Sequence, residues 1–365
     1  MYLLQPFLAE SRWERAALIP CDPSAGAQTL LEALDRGGPP FVRFLLDFDL
    51  GALWHLSLEQ AGLGASLDPA TASHFRAARM AAAARYMAQT EALRRIDRVF
   101  SDGGIAYAVM KGAAIREQVV ADPSVLAAGD VDVLVLPAER VKAAALLVEA
   151  GFRMRLNPDN ISHEVLLQSA GADVDLHWHI LRPGRTRVEL TGELLGRRVR
   201  RDGFWTLSDR DSTFLMLTHP AFAKYVCSPH MGLARVMSFL LWHKRLDAHW
   251  NGVVEMLERT GLKTAAWAVL RWYGALAPLA FEEDLAKRRE ALRPGRVRAA
   301  YVNFWLRHNL PSRLIDRAPA IQFGLIAFLH DAPSDALAAY RGWYGARRDR
   351  ASDVREFVAA VGVPT

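Results

Sequence analysis

Aspartates alternate with apolar residues twice in this chain, in Gly129-Asp130-Val131-Asp132-Val133-Leu134-Val135 and in Asp173-Val174-Asp175-Leu176-His177-Trp178-His179. Side chains of an extended strand alternate between faces, so Asp130 and Asp132 share one face and Val131, Val133 and Val135 take the other. By the same rule Asp173, Asp175, His177 and His179 line one face of the second segment. Carboxylates this close raise each other's pKa unless something positive lies between them. An oxygen-preferring divalent cation, Mg²⁺ or Mn²⁺, answers that need. A third carboxylate from a neighbouring strand, aimed at the same point, would complete a two-metal site. Lys111-Gly112 adds a second kind of chemistry, because a β-type run, Ile105 to Met110, gives way there to a helical one. The free backbone N–H groups of a helix start suit phosphate oxygens, Gly112 allows close approach, and Lys111 brings countercharge. Taken singly, an Asp-x-Asp pair is a turn residue beside a solvent-facing acid, and Lys-Gly is an ordinary strand-to-helix turn. The ordered combination favours metal and phosphate chemistry.

The elements needed to position these residues can be read around them. Residues Phe41 to Gly62 carry apolar positions at helical spacing. Asp68 as N-cap and Pro69 at the first helical position open a long helix, Ala70 to Phe100, which Asp102-Gly103-Gly104 ends. A β-α-β-α-β-β unit follows, with a helix from Pro137 to Ala150 and two strands, His163 to Ser169 and Asp173 to Ile180. The Ala170-Gly171-Ala172 link is short enough for a hairpin. From Asp209 onward the pattern is helical again, broken at several prolines. The expected organisation is a helical region over residues 1–100, a core over 101–207 and a helical domain over 208–365.

Composition narrows the class. Apolar residues make up 51% and charged residues 23% of 365, the profile of a globular chain. A formal charge of +5, far more of it from arginine than lysine, suits an anionic substrate without demanding nucleic acid. Cys21 and Cys227 are the two cysteines and have no metal-ligand spacing, which argues against a disulfide framework or a zinc site. The opening MYLLQPFLAESRWERAALIP does not read as a signal peptide. No run approaches the roughly 18 apolar residues of a spanning helix. A cytoplasmic protein without a membrane partner is expected. The Arg197-Arg198-Val199-Arg200-Arg201 stretch reads as a solvated face, being free of interleaved aromatics.

MKGAAIREQVV, GDVDVLV and VDLHW, in that order, resemble the bacterial uncharacterised nucleotidyltransferase family of the DNA polymerase β-like superfamily. The similarity runs from about residue 70 to 280 and includes DSTFLMLTHPAFAKY and the helical segment after it. The resemblance implies an α+β protein, a small mixed β-sheet core of polymerase β-like type flanked by N- and C-terminal helical regions. It implies transfer of a nucleoside monophosphate from an NTP to an acceptor hydroxyl or phosphate, on a small molecule, a peptide or protein, or a tRNA end. Which NTP, which acceptor and which oligomeric state are left open. Asp130, Asp132 and Asp175 then take the places of the metal-binding and catalytic carboxylates for two Mg²⁺ or Mn²⁺ ions. Asp173 becomes a bystander or a supporting group, and Lys111 and Gly112 take the place of the phosphate turn. Where the pattern often has Arg four residues before the first aspartate, this chain has Leu126. A cationic phosphate contact is therefore either missing or supplied by Arg116, one turn into the helix. His177 is an accessory residue, touching phosphate, metal or acceptor, or else orienting a carboxylate. The other reading is a catalytically degenerate nucleotide-binding or scaffold protein, which Leu126 favours and the acidic triad opposes.

Overall fold

The computed structural model describes residues 12–22, 25–126, 128–157, 161–223, 229–246, 248–278, 283–314 and 316–361. Cys227 and the first eleven residues lie outside that set. The first three long helices are α1 (Ala27–Asp47), α2 (Gly51–Gln60) and α3 (Pro69–Gly103). The stretch read as one helical pattern from Phe41 is thus two helices, separated at Phe48 to Leu50, where Asp49 adopts φ 57°. Helix α3 begins as its sequence predicts. The Asp68 carboxylate accepts from the amides of Ala70 and Thr71 at 3.1 and 3.0 Å, and Gly104 closes the helix at φ 67°.

Strand β1 (Tyr107–Met110) runs straight into α4 (Lys111–Val119). Then come β2 (Val131–Val135), α5 (Arg140–Glu149), β3 (Arg153–Arg155), β4 (Glu164–Ser169) and β5 (Ala172–His177). The short strands β6 (Val199–Arg201) and β7 (Phe204–Thr206) finish a seven-stranded sheet of order β3-β4-β5-β2-β1-β7-β6. The expected four-strand unit is present, and β3, β6 and β7 extend it on both sides. Those three strands are only three residues long, too short to show a period of two. The sheet is mixed: β5 pairs with β2, and β7 with β1, in parallel, and the remaining pairs are antiparallel.

Every residue of β1 and β2 is buried, because apolar layers cover both faces of the sheet. One layer joins Val131, Val133, Val135, Val174 and Leu176 to α3 and α5. The other joins Ala108, Met110 and Leu134 to the N-terminal helices and to α6 (Asp209–Ala223), α7 (Pro229–Trp242), α8 (Trp250–Thr260) and α9 (Lys263–Leu276). Asp132 shares the face of Leu134, so it points toward the helical half. The Arg197–Arg201 stretch remains partly in solvent, with Arg200 exposed, and its arginines also find partners. Arg197, Arg200 and Arg201 pair with Asp211, Asp97 and Asp209, and Arg198 lies over Trp205 at 4.6 Å. Among the described residues no helix is long and apolar enough to cross a membrane.

After α10 (Glu283–Ala291) and α11 (Arg296–Arg307), the last described long helix, α12 (Pro333–Val361), returns to the sheet. Phe357 is fully buried there and stacks on Trp178 with ring centroids 5.4 Å apart. Arg187 donates to both oxygens of Asp335 at 2.9 Å each. The middle of α12 touches the turn after β5 backbone to backbone: a Cβ on Gly342 would lie 2.1 Å from the Pro183 carbonyl oxygen. Neither side can yield, so Gly342→Ala should unseat α12 and cost about 1–3 kcal/mol. Gly345→Ala, three residues on, would meet nothing within 4 Å and should be neutral or stabilising by up to about 1 kcal/mol. Urea unfolding of the two variants checks the contrast, and equal midpoints would show that α12 is not seated by this contact.

Candidate active site

The register of three strands builds the site. Asp132 lies between Met110 on β1 and Asp175 on β5, so the two aspartates are direct neighbours on parallel strands. His177, one pair further along β5, faces Glu164 on β4. Met110 ends β1, and the chain turns at Lys111 with φ 56°, a left-handed conformation unusual for a side chain of this size. That turn brings the lysine amine over the neighbouring strands β2 and β5. Lys111 Nζ lies 2.5 Å from Asp132 Oδ1 and 3.3 Å from His177 Nε2. His177 Nε2 is itself 2.8 Å from the same carboxylate oxygen, and its Nδ1 is 3.3 Å from Glu164 Oε2.

These contacts divide the aspartates electrostatically. Burial opposes ionisation of Asp132, yet the charge of Lys111, with help from His177, holds its carboxyl well below the usual range. Asp175 goes the other way: burial, then the nearby charges of Glu164, Asp130 and Asp132, push it up to about 7. The mutual repulsion expected from the sequence is therefore present at Asp175 but overridden at Asp132, where a lysine supplies the positive charge. Asp132, Asp175 and His177 each offer a ligand atom, all within 4.8 Å of one another. Asp130 precedes β2, is half-buried, and is not one of those three. A donor set of carboxylate oxygens with one imidazole, short of positive charge at Asp175, fits a divalent cation.

Two cavities meet at this cluster. The larger, of about 590 Å³, is lined by Lys111, Asp130, Asp132, Glu164 and Asp175 at the sheet. The smaller, of about 410 Å³, shares Lys111, Asp130 and Asp132 and adds Gly112 and Gly129. Asp175 lines only the larger cavity and Gly112 only the smaller. A Cβ at Gly129 would meet no protein atom within 4 Å, and one at Gly112 would make only ordinary contact with Ala128, so packing does not demand either glycine. Arg235 of α7 and His219 of α6 line both cavities.

The structure thus brings Lys111, Gly112, Asp130, Asp132, Asp175 and His177 together. Arg116 is elsewhere. It is buried, donates to Gln89 Oε1 at 2.6 Å, lies over the Tyr86 ring at 4.7 Å and lines neither of these cavities. Its position on α4 turns Arg116 toward α3 and away from the two cavities that hold Lys111 and Gly112. Its effect on the site is indirect, since Gln89 in turn donates to the Ala128 carbonyl just before Gly129-Asp130. Asp173 sits at the exposed end of β5 and accepts from Gln168 at 2.7 Å, apart from the cluster. His163 lines the larger cavity with its ring 6.1 Å from that of His177, and burial, then nearby positive charge, pushes it down to about 2.

Glu164 and Arg235 were missed by reading motifs. Glu164 alternates with the core residues Val165 and Leu167, which marks its face, but only the β4–β5 register puts it beside His177. Arg235 is a lone arginine in the apolar helix PHMGLARVMSFLLW, and a solitary charge in such a helix is the signal that would have singled it out.

A family model described as uncharacterised nucleotidyltransferase matches residues 41–278. The match begins before α2 and ends just after α9, so it takes in all seven strands and the helices α6 and α7 that contribute to both cavities, but not α10 to α12. No curated protein and no solved structure matches the chain.

The raised Asp175 makes metal-free stability depend on pH. Its carboxyl keeps a proton in the folded state up to about pH 7, whereas the unfolded chain releases it near pH 4. Between those values the folded state binds more protons, so its stability falls as pH rises and stays lower above pH 7. Asp175→Asn removes this titration. In a chelator the variant should gain about 2–5 °C in Tm on the wild type between pH 5 and pH 8. An unchanged difference across that range would mean that Asp175 does not sense its acidic neighbours.

Proposed function

The chain belongs to the uncharacterised nucleotidyltransferase family, and on that premise we propose that it is a metal-dependent enzyme moving a nucleoside monophosphate from an NTP to an acceptor hydroxyl or phosphate. The observation that carries this reading is the placing of the acids between two cavities, with Gly112 facing one and Asp175 the other. We assign the NTP to the smaller cavity, its phosphates against Gly112, Gly129 and the N-terminus of α4, and the acceptor to the larger. The sheet and the helices over it would correspond to a polymerase β-like core.

Asp175 takes the acceptor proton as the acceptor oxygen attacks the α-phosphorus. The new bond is from acceptor oxygen to phosphorus; the bond from that phosphorus to the bridging oxygen breaks, and pyrophosphate leaves with the electron pair. Asp130, Asp132 and Asp175 would hold two Mg²⁺ or Mn²⁺ ions, which when bound would neutralise phosphate charge and acidify the acceptor. His177, between Asp132 and Glu164, orients the Asp132 carboxylate. Lys111 moves its charge from Asp132 toward the phosphates.

Calorimetric titration with ATP, CTP, GTP and UTP, with and without Mg²⁺, tests the proposal. One NTP should bind with Mg²⁺ dependence, and Asp132→Asn should remove both that dependence and all pyrophosphate release. A variant that turns over normally would show that Asp132 is no metal ligand. The second reading, a catalytically inactive nucleotide-binding or scaffold protein, is favoured by the Lys111 amine already seated on Asp132. Binding that ignores Mg²⁺, or no binding at all, would support it against the enzyme.

Lys111→Ala separates phosphate recognition from shape. It should weaken NTP binding about tenfold or more, the worth of a charge-assisted hydrogen bond, and leave the corresponding nucleoside unaffected. Equal losses would place the lysine's contribution in the fold of the turn.

A further inference from the structure

We propose that the acceptor is itself nucleotide-like, a phosphate-bearing nucleoside whose base stacks on Trp343 and whose phosphate meets Arg182 and Arg347, and that the segment beyond the family match builds this subsite. The inference rests on the assignment of the larger cavity to the acceptor. The family match stops at residue 278, yet one wall of that cavity is made by Gln322, Phe323, Tyr340, Trp343 and Arg347. A volume of about 590 Å³ is ample for a nucleotide.

Trp343 departs from the behaviour of its neighbours in composition. Trp54, Trp242, Trp267 and Trp272 are all fully buried, whereas Trp343 is 38% exposed and Phe323 58% exposed. Large aromatics left at the wall of a concave cavity offer faces on which a flat ring can stack, at little cost in side-chain entropy. The Arg347 guanidinium lies 5.5 Å from the Trp343 ring centroid. Trp343, Arg182 and Arg347 also line a small adjoining recess with Ser162 and Arg350, so three arginines and an aromatic ring share that end of the cavity among the described residues. The larger cavity therefore has an acidic end at the sheet and an aromatic, arginine-rich end at α12. Planar guanidiniums beside an aromatic face select a ligand with both a flat ring and an anionic group. A polycationic acceptor would be repelled there. The wall is held in place, because Gly342 meets the Pro183-Gly184 backbone and Arg187 grips Asp335 on the same helix.

The full-length protein is saturated with Mg²⁺ and the α,β-methylene analogue of the NTP that binds best. AMP, CMP, GMP, UMP and a short single-stranded oligoribonucleotide with a free 3′-hydroxyl are then titrated in by calorimetry. The expected result is a second binding event of one to one with at least one of these probes. Binding of a mononucleotide would identify a free nucleotide as acceptor, and binding of the oligonucleotide alone the end of a polynucleotide. Trp343→Ala and, separately, Arg347→Ala should weaken this second event about tenfold or more while leaving the analogue within twofold, and Trp343→Phe should restore most of it. The proposal is overturned if none of the probes binds the loaded protein at millimolar concentration, or if the two variants weaken the analogue as much as the probe. Failure of the analogue itself to bind with Mg²⁺ is a different result: it sinks nucleotidyl transfer and this proposal with it.

Discussion

Lys111 holds its amine against a carboxylate that is almost wholly withdrawn from water, and the centre of the molecule is arranged around that pair. An ionised aspartate in the middle of a sheet is costly unless a countercharge and hydrogen bonds meet it. Here the amine and the His177 ring both reach Oδ1 of Asp132. Losing one partner of such a buried pair typically costs about 3–5 kcal/mol, so β1, β2 and the turn between β1 and α4 are tied together by charge as well as by backbone hydrogen bonds. The left-handed conformation of Lys111 is accounted for on the same terms. A residue that ends a strand and starts a helix can aim its side chain back at the neighbouring strand only by such a turn.

Around that pair, positive and negative groups are sorted by depth. Lysine, histidine and Asp132 are the inner layer, where charges balance. Asp175, Asp130 and Glu164 form an acidic rim, and burial together with the neighbouring negative charges gives Asp175 its high proton affinity. A rim of that kind attracts cations. Arg235 enters from α7, so the helical half takes part in the electrostatics of the site and not only in its walls.

The supporting elements act through a few specific contacts. Gln89 on α3 joins Arg116 to the Ala128 carbonyl, which fixes the loop leading to Asp130. Across the larger cavity, α12 reaches the sheet through Phe357 and the turn after β5 through Gly342. The part of the chain outside the family match is thereby built into the cavity wall and shapes what can enter.

Local pattern settled a good deal of this. The alternation in DVDVLVL and DVDLHWHI decides that Asp130, Asp132, Asp175 and His177 lie opposite the core valines, because a strand's period of two leaves no other choice. Asp68-Pro69 and Gly103-Gly104 mark the ends of α3 through capping chemistry that is local by nature. Which strands are neighbours, and in what register, is a long-range matter. Only pairing β2 with β5 makes Asp132 and Asp175 adjacent, and only pairing β4 with β5 brings in Glu164. The direction of Arg116, the arrival of Arg235 and the return of α12 with Trp343 depend on how helices distant in sequence pack, to which no local spacing is sensitive. The same holds for the opposite pKa shifts of two aspartates from similar motifs. Each shift is the sum of burial and neighbours that the sheet assembles, so it was decided by tertiary structure alone.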